Sequence, residues 1–307
     1  MTFEIPENSS QTQLLNVAFQ QQIVFTRGVF NLENNSLKSL IPNDARVLFF
    51  VDKGLIDKVD ELTGVIKSYL RSNGYTVISG GIIALPGGET VKNDLTHLKK
   101  IIEIIEEKEL CRHSYLVAVG GGALLDAVGF AASISHRGIR HIRIPTTVLS
   151  QNDSGMGVKN GVNYLGHKNL LGAFNPPDGV IVDFEFLKTL PDRTYREGIS
   201  EAFKVAILKD RDFLIWLLEN ARDAAHKDWK KMEQLVYWCA QLHLNHIASG
   251  GDPFEKTSAR PLDFGHWSAH HLEEKTQHRL SHGEAVSIGI CLDLQIASIL
   301  QLISERE

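Results

Sequence analysis

Cysteine is scarce in this chain. Cys111, Cys239 and Cys291 are odd in number and far apart, and no CxxC pair occurs. That argues against a disulfide framework and points to a reducing, cytoplasmic setting. Long apolar runs are also missing: none reaches the roughly 20 residues that a bilayer span needs. The N-terminus MTFEIPENSSQTQLL lacks the basic start and apolar core of a signal peptide. No large excess of one charge exists. A formal net charge of −5 argues against nucleic acid or a membrane as the main partner, yet a small anionic substrate needs only a local basic cluster. Internal repeats and low-complexity segments are absent as well.

What is present is ordinary for a globular protein. The 307 residues, 43% apolar and 22% charged, are enough for one large or two ordinary domains with ample core. After a polar lead, RVLFFVDKG (46–54) reads as a buried strand and LIDKVDELTGVIKSYLRSNG as a helical stretch. YTVISGG follows as a strand, then the turn PGGET and the helix NDLTHLKKIIEIIEEKEL. SYLVAVGGG is a second buried strand running through glycines into the helix ALLDAVGFAASISH, and HIRIPTT and GVIVDFEF are short strands. This alternation predicts a layered α/β domain with a parallel sheet. From about Leu187 long amphipathic stretches dominate and strand signals nearly vanish. The expected architecture is therefore an α/β domain over residues 1–186 and an all-helical domain over 187–307, with the site in the crevice between them. The chain stops at ISERE directly after an apolar helix-like run, which reads as a truncated product.

Four constellations carry chemistry. In VGGGALLDAVG (119–129) a buried strand delivers three glycines to the start of a helix. Backbone N–H groups there suit a phosphate or dinucleotide, although the spacing is not GxGxxG and a tight turn also uses glycine. Asp52 ends an earlier strand, where it suits a ribose hydroxyl or a helix start equally. PGGETVK (86–92) adds Glu89 and Lys92 on a second glycine turn, whose plain reading is a solvated cap. IPTTVLSQNDSGMGVKNGVNYLGHKNLLGAFNPP (144–177) reads as a long functional loop carrying Asp153, Lys159, Lys168 and Asn169. Its lysines suit a phosphorylated ligand or are simply solvated. In the helical half, Glu201 and Lys204 lie i, i+3 on an apolar helix, with His246, His266, His270 and His282 downstream. A glutamate and two histidines from separate helices make an open zinc site; the alternative is a helix-surface ion pair and scattered histidines. His113, His136, His141 and His278 read as structural or exposed.

GGET-VK, GGGALLD, IPTT, the Asp153-to-Lys159 loop, HKNLLGAF, FLKTLP, SEAFK, DFGH and SHGEAVSIG follow one another from about residue 45 to 290. In that order they resemble the 3-dehydroquinate synthase-like sugar phosphate cyclases. The resemblance implies an N-terminal nucleotide-binding α/β domain with a parallel sheet and a C-terminal all-helical metal-binding domain. It implies zinc, with cobalt as a substitute, on Glu201, His266 and His282. It implies NAD on Asp52, Glu89, Lys92, Gly121, Gly122, Asp126, Thr146, Thr147, Lys159, Lys168 and Thr189. Asp153, Lys159, Asn169, Lys204, Arg260 and His270 match substrate-contacting positions. Arg137, in SHRGIR, matches an arginine that reaches the neighbouring subunit's site in a homodimer.

The implied chemistry oxidises a secondary alcohol of a heptulose-type sugar phosphate, eliminates phosphate, reduces the ketone back and closes a carbocycle by an intramolecular aldol. Two positions depart from the pattern. His246 is the best match to a position where dehydroquinate synthases carry a lysine that contacts the substrate carboxylate, and Asp263 stands where they typically carry asparagine in NFGH. A carboxylate at that place disfavours an acid substrate by repulsion, which turns the expectation toward a neutral-headed sugar phosphate such as sedoheptulose 7-phosphate. The rival readings are an NAD- and metal-dependent polyol or glycerol dehydrogenase, and an inactive relative acting as a binding subunit.

Overall fold

A computed structural model describes residues 10, 12–93, 95–250, 254, 260–277 and 279–304. The elements in chain order are β1 (Gln22–Thr26), β2 (Arg46–Asp52), α1 (Lys53–Lys58), α2 (Leu62–Ser72), β3 (Thr76–Leu85), α3 (Leu95–Glu107), β4 (Tyr115–Gly120), α4 (Gly122–Ile134) and β5 (Arg140–Pro145). They continue with β6 (Lys159–Tyr164), β7 (His167–Phe174), β8 (Gly179–Asp183), α5 (Asp192–Lys209), α6 (Arg211–Ala225), α7 (Trp229–Ser249), α8 (His266–Lys275) and α9 (His282–Ile299). Six strands form one parallel sheet in the order β1-β8-β5-β4-β2-β3, and β6 and β7 pair as an antiparallel hairpin.

Parallel sheets are covered on both faces, so their strands read as continuous apolar runs, and here they do. Alternate residues of β2 and β4 serve opposite layers. Val47, Phe49, Val51, Val117 and Val119 pack with Ile66 and Tyr69 of α2. Leu48, Phe50, Leu116 and Ala118 pack with Ile101 of α3 and Leu124 and Val128 of α4. A third apolar cluster joins Val180 and Val182 of β8 to Val205, Phe213, Leu235 and Cys239 of α5, α6 and α7. The last strand therefore docks the helical half onto the sheet. Among the described residues no strand follows Asp183, and no helix is long and apolar enough to cross a membrane.

Three readings of the sequence need correction. The polar lead contains a strand: β1 pairs with β8 at the sheet edge. Its five residues, QIVFT, are too few to show a period against their polar surroundings. The helical stretch after β2 is two helices, broken near Glu61, which holds a left-handed φ of 56°. The long loop 144–177 is mostly regular. It opens with a π-helical turn, Ser150–Ser154, and then forms the β6–β7 hairpin. Its glycines and asparagines masked the pattern, because the alternation on β7 is weak and largely exposed.

That segment is held by Arg143 of β5, whose side chain is fully buried. Its guanidinium donates to the carbonyls of Gly155 (3.2 Å), Gly157 (2.8 Å) and Lys159 (2.9 Å) and to Asn160 Oδ1 (2.7 Å). Burial lowers its pKa to about 10, so it stays charged at neutral pH. An arginine fork suits this multiple donation. Arg143→Met should strand these acceptors and lower stability by about 3 kcal/mol, read as a reduced midpoint in urea denaturation; an unchanged midpoint would refute the role.

Candidate active site

The sheet order places a topological switch between β2 and β4. From β2 the chain moves outward to β3, then returns across β2 to β4 and continues the other way. In open α/β sheets ligands bind beyond the carboxyl ends of the strands at such a point. Asp52 ends β2, caps α1 and accepts from the Gly54 N–H at 2.7 Å. Gly120 ends β4, and Gly121 is the N-cap of α4 with no side chain to close it. A Cβ on Gly122 would lie 2.6 Å from Ser154 Oγ, so the π turn packs directly against the helix start. Free N–H groups on a helix start, with the dipole behind them, suit an anionic phosphate. Thr146 lies beside this turn and donates its N–H to the Gly120 carbonyl at 3.0 Å, while Thr147 pairs with Ser150.

Lys92, although matched to a cofactor position, is buried and bonded within the chain. Its ammonium donates to Asp126 Oδ2 (2.7 Å) and Asn169 Oδ1 (2.6 Å), tying α4 to β7. Glu89 accepts from Asn163 at 3.0 Å. Lys168 donates to Glu273 of α8 at 2.8 Å. Lys159 starts β6 with an exposed side chain. Thr189 donates to the Phe186 carbonyl at the end of the 3-10 turn after β8. Arg137 is exposed after α4, a helix of 13 residues, thus about 20 Å from the glycine turn.

The helical half brings distant residues to one point. Glu201, on α5, is fully buried. His266 Nε2 and His282 Nε2 each lie 3.5 Å from Glu201 Oε1, and one ligand atom from each of the three falls within 4.8 Å of the others. Close backbone approach permits this: a Cβ on Gly283 would lie 2.2 Å from the Glu197 carbonyl oxygen, so α9 can touch α5 only with glycine there. The donor set fits a divalent cation. Both Glu201 oxygens are buried without a well-aligned hydrogen bond. The outer nitrogens of the two imidazoles already have acceptors: His266 Nδ1 lies 3.2 Å from the Phe264 carbonyl and His282 Nδ1 lies 3.3 Å from Glu273 Oε2. Those acceptors hold a proton on each Nδ1 and leave Nε2 as the nitrogen turned toward Glu201. One carboxylate and two imidazoles are a donor set of the kind that holds catalytic zinc.

The π turn joins this cluster to the glycine turn. Ser154 faces Gly122, while the adjacent Asp153 lies 3.7 Å from Lys204 Nζ. Asn152 donates to the Gly198 carbonyl at 2.7 Å and so pins the turn to α5. Lys204 also contacts Glu201 directly. Burial opposes its charge, but Asp153 and Glu201 outweigh that and raise its pKa. Glu201 is likewise kept ionised against burial, by Lys204 and the two histidines. His270 stacks near His282 with ring centroids 6.1 Å apart, and partial desolvation keeps it neutral. His246 lies half-buried on α7 and Asp263 is exposed on the 3-10 turn before α8. The side chain of Arg260, and the whole of His278, lie outside the described residues.

Two participants escaped the sequence reading. His243, one turn before His246, is buried with Nδ1 3.0 Å from Asp153 Oδ1, and desolvation lowers its pKa. The i, i+3 pair in HLNH was the available signal. Glu273, three residues past His270, was hidden in an ordinary charged run, HHLEEK.

A sheet switch point with a glycine cradle, linked by one short turn to a buried carboxylate and two imidazoles, defines a two-part ligand-binding protein of the α/β-plus-helical class. Residues 82–197 match the family described as 3-dehydroquinate synthase N-terminal, and residues 198–307 match 3-dehydroquinate synthase C-terminal. A 3-dehydroquinate synthase from a Nitratiruptor species is 40% identical over 228 residues, 74% of this chain and 63% of that protein. The chain thus matches less than two thirds of that relative's length. Among solved structures, ValA (2-epi-5-epi-valiolone synthase) from Streptomyces hygroscopicus, with NAD+ and Zn2+ bound, has a TM-score of 0.86 at 26% identity, covering 97% of this chain and 80% of its own. A 2-deoxy-scyllo-inosose synthase complexed with carbaglucose-6-phosphate, NAD+ and Co2+ has a TM-score of 0.77 at 27% identity, covering 92% of this chain and 74% of its own. The chain belongs to the 3-dehydroquinate synthase-like family of sugar phosphate cyclases.

The cluster has a testable proton inventory. Burial opposes charge on His282, but the Glu201 and Glu273 carboxylates raise its pKa to about 9. The raised value means that the metal-free protein carries this proton at pH 7 and loses the associated stabilisation as pH climbs through about 9. His266 is neutral, its pKa lowered by burial. A metal must therefore displace the His282 proton. Zinc titrated at pH 7.5 in buffers of different ionisation enthalpy should release about one proton per ion, and affinity should rise toward pH 9. Zero proton release would contradict this arrangement.

Proposed function

We propose that the protein is a sugar phosphate cyclase that converts a heptulose-type sugar phosphate to a carbocycle with release of phosphate. The supporting observation is the pair Asp153–Ser154. Neighbouring residues of one turn meet the glycine cradle on one side and the Lys204–Glu201 cluster on the other, so one small substrate can touch both. In this reading Glu201, His266 and His282 hold zinc, and the switch point at Asp52 and Gly120–Gly122 holds NAD. The two groups, when bound, supply polarisation of a substrate oxygen and a reversible hydride acceptor. The names of the solved relatives, which carry NAD+ with Zn2+ or Co2+ and in one case a sugar phosphate analogue, support the same cofactors here.

The chain's own groups cover the remaining chemistry. Lys204 is a buried, permanently charged ammonium beside the cluster, suited to stabilising negative charge that develops on a substrate oxygen. Asp153 holds Lys204 and His243 in place from the opposite side. His270, neutral and partly open to solvent, suits transfer of a proton between substrate and water. Lys159, Asn169 and Arg260 serve phosphate and hydroxyl binding, Asp263 and His246 select the substrate's head, and Arg137 reaches the partner's site in a homodimer. The carboxylate of Asp263 favours a neutral-headed sugar phosphate such as sedoheptulose 7-phosphate over an acid.

Incubation with NAD+, Zn2+ and a panel of sugar phosphates, followed by mass spectrometry, should show phosphate release and a carbocyclic product without net NADH. The neutral-headed heptulose phosphate should outperform the acidic dehydroquinate precursor. Net NADH from a plain polyol would establish a dehydrogenase instead, and a strong preference for the acid would refute the head-group reading. Glu201→Ala should lower kcat by about 10³-fold, the scale of losing a principal electrostatic stabiliser, while NAD affinity stays within about twofold; unchanged turnover would remove Glu201 from the mechanism.

A further inference from the structure

Glu273 has the surroundings of a working residue although nothing in the reaction requires it to touch substrate. It is almost fully buried on α8, seven residues after His266 and three after His270, and so on the same helical face. A buried carboxylate is costly unless its oxygens are engaged. Both are. Oε2 lies 3.3 Å from His282 Nδ1 and Oε1 accepts from Lys168 Nζ at 2.8 Å.

The two partners belong to different parts of the molecule. His282 opens α9, and its other nitrogen faces Glu201. Lys168 sits on β7, next to Asn169, whose side chain accepts from Lys92 and whose N–H donates to Asn163 Oδ1 at 2.9 Å. Lys92 in turn holds Asp126 of α4. A continuous series of charged and polar contacts thus runs from His282 through Glu273 and Lys168 to the hairpin and the helix that carries the glycine turn. β7 is otherwise largely exposed, and this ion pair ties its tip to the helical half.

We propose that Glu273 is a positioning residue that fixes the inward-ligating tautomer of His282 and, through Lys168, couples the cation centre to the β6–β7 hairpin. This rests on the metal reading of Glu201, His266 and His282. Occupation of the centre orders His282, steadies Glu273 and tightens the hairpin; by linkage, a steadied hairpin favours the occupied centre equally.

The test uses zinc alone as the probe. Affinity is read by competition with a chromophoric chelator, and the hairpin by hydrogen exchange of the 167–174 amides. In the wild type, zinc should slow exchange in β7 severalfold. Glu273→Gln should weaken zinc about tenfold, the usual scale for loss of a histidine's outer partner, and abolish the zinc-dependent protection. The Co2+ absorption spectrum should shift in the same variant, which a merely structural role would not produce. Lys168→Met cuts only the hairpin end and keeps the test informative if Glu273→Gln folds poorly. It should lose the protection and, by the same linkage, weaken zinc by no more than the severalfold protection that it removes. Wild-type zinc affinity in Glu273→Gln, or β7 protection that survives Lys168→Met, overturns the proposal. Should Glu201→Ala bind zinc normally, the metal reading falls and this inference with it; should Glu201→Ala abolish binding while Glu273→Gln leaves it intact, only this inference falls.

Discussion

An ionised carboxylate with no solvent-accessible surface governs the arrangement of the helical half. Glu201 is wholly enclosed, and a buried charge without compensation costs several kcal/mol. Lys204 on the same helix supplies compensation, neutral His266 faces the carboxylate from a second helix, and charged His282 compensates from a third. Those partners lie 65 and 81 residues downstream of Glu201 in the chain, so α5, α8 and α9 must meet at one point. The small apolar cluster of Ala269, Ala285, Val286 and Ile290 packs beside that meeting. Its alanines, Ala269 and Ala285, let the helices come close beside the charged groups.

The same constraint reaches the sheet through a single turn. Arg143 fastens the segment 154–160 by its backbone carbonyls, Asn152 fastens the turn to α5, and Asp153 then meets Lys204. A fully buried arginine and a buried lysine therefore act on either side of the turn. The glycine cradle and the carboxylate cluster are neighbours because this turn has no freedom to leave either of them.

Much of this was legible in the residues. The continuous apolar runs of β2, β4 and β8 announced a sheet covered on both faces, and VGGGALLD announced a strand delivering glycines to a helix start. The pair Glu201 and Lys204 on an otherwise apolar helix announced buried charge. Less was legible where regular structure is short or exposed. β1 has five residues, and β7 lacks a buried face, so neither shows a clear period. Lys92 read as part of a solvated cap and Lys168 as a cation for a phosphorylated ligand or for solvent, whereas Asp126, Asn169 and Glu273 engage them. His243 had only the spacing of HLNH to mark it and Glu273 had nothing local, since their partners are brought to them only by folding.

The sequence by itself determined the layered α/β half, the helical half after it and the ordered motifs that mark the family, because apolar period, glycine placement and residue type are local properties of the chain. Tertiary structure alone decided that Glu201, His266 and His282 converge, that Asp153 and Ser154 face two sites at once, and that Glu273 spans a histidine and a lysine. Those relations depend on angles between helices and on close backbone contacts such as Gly283 against Glu197. They arise from packing in three dimensions, which no one-dimensional spacing encodes.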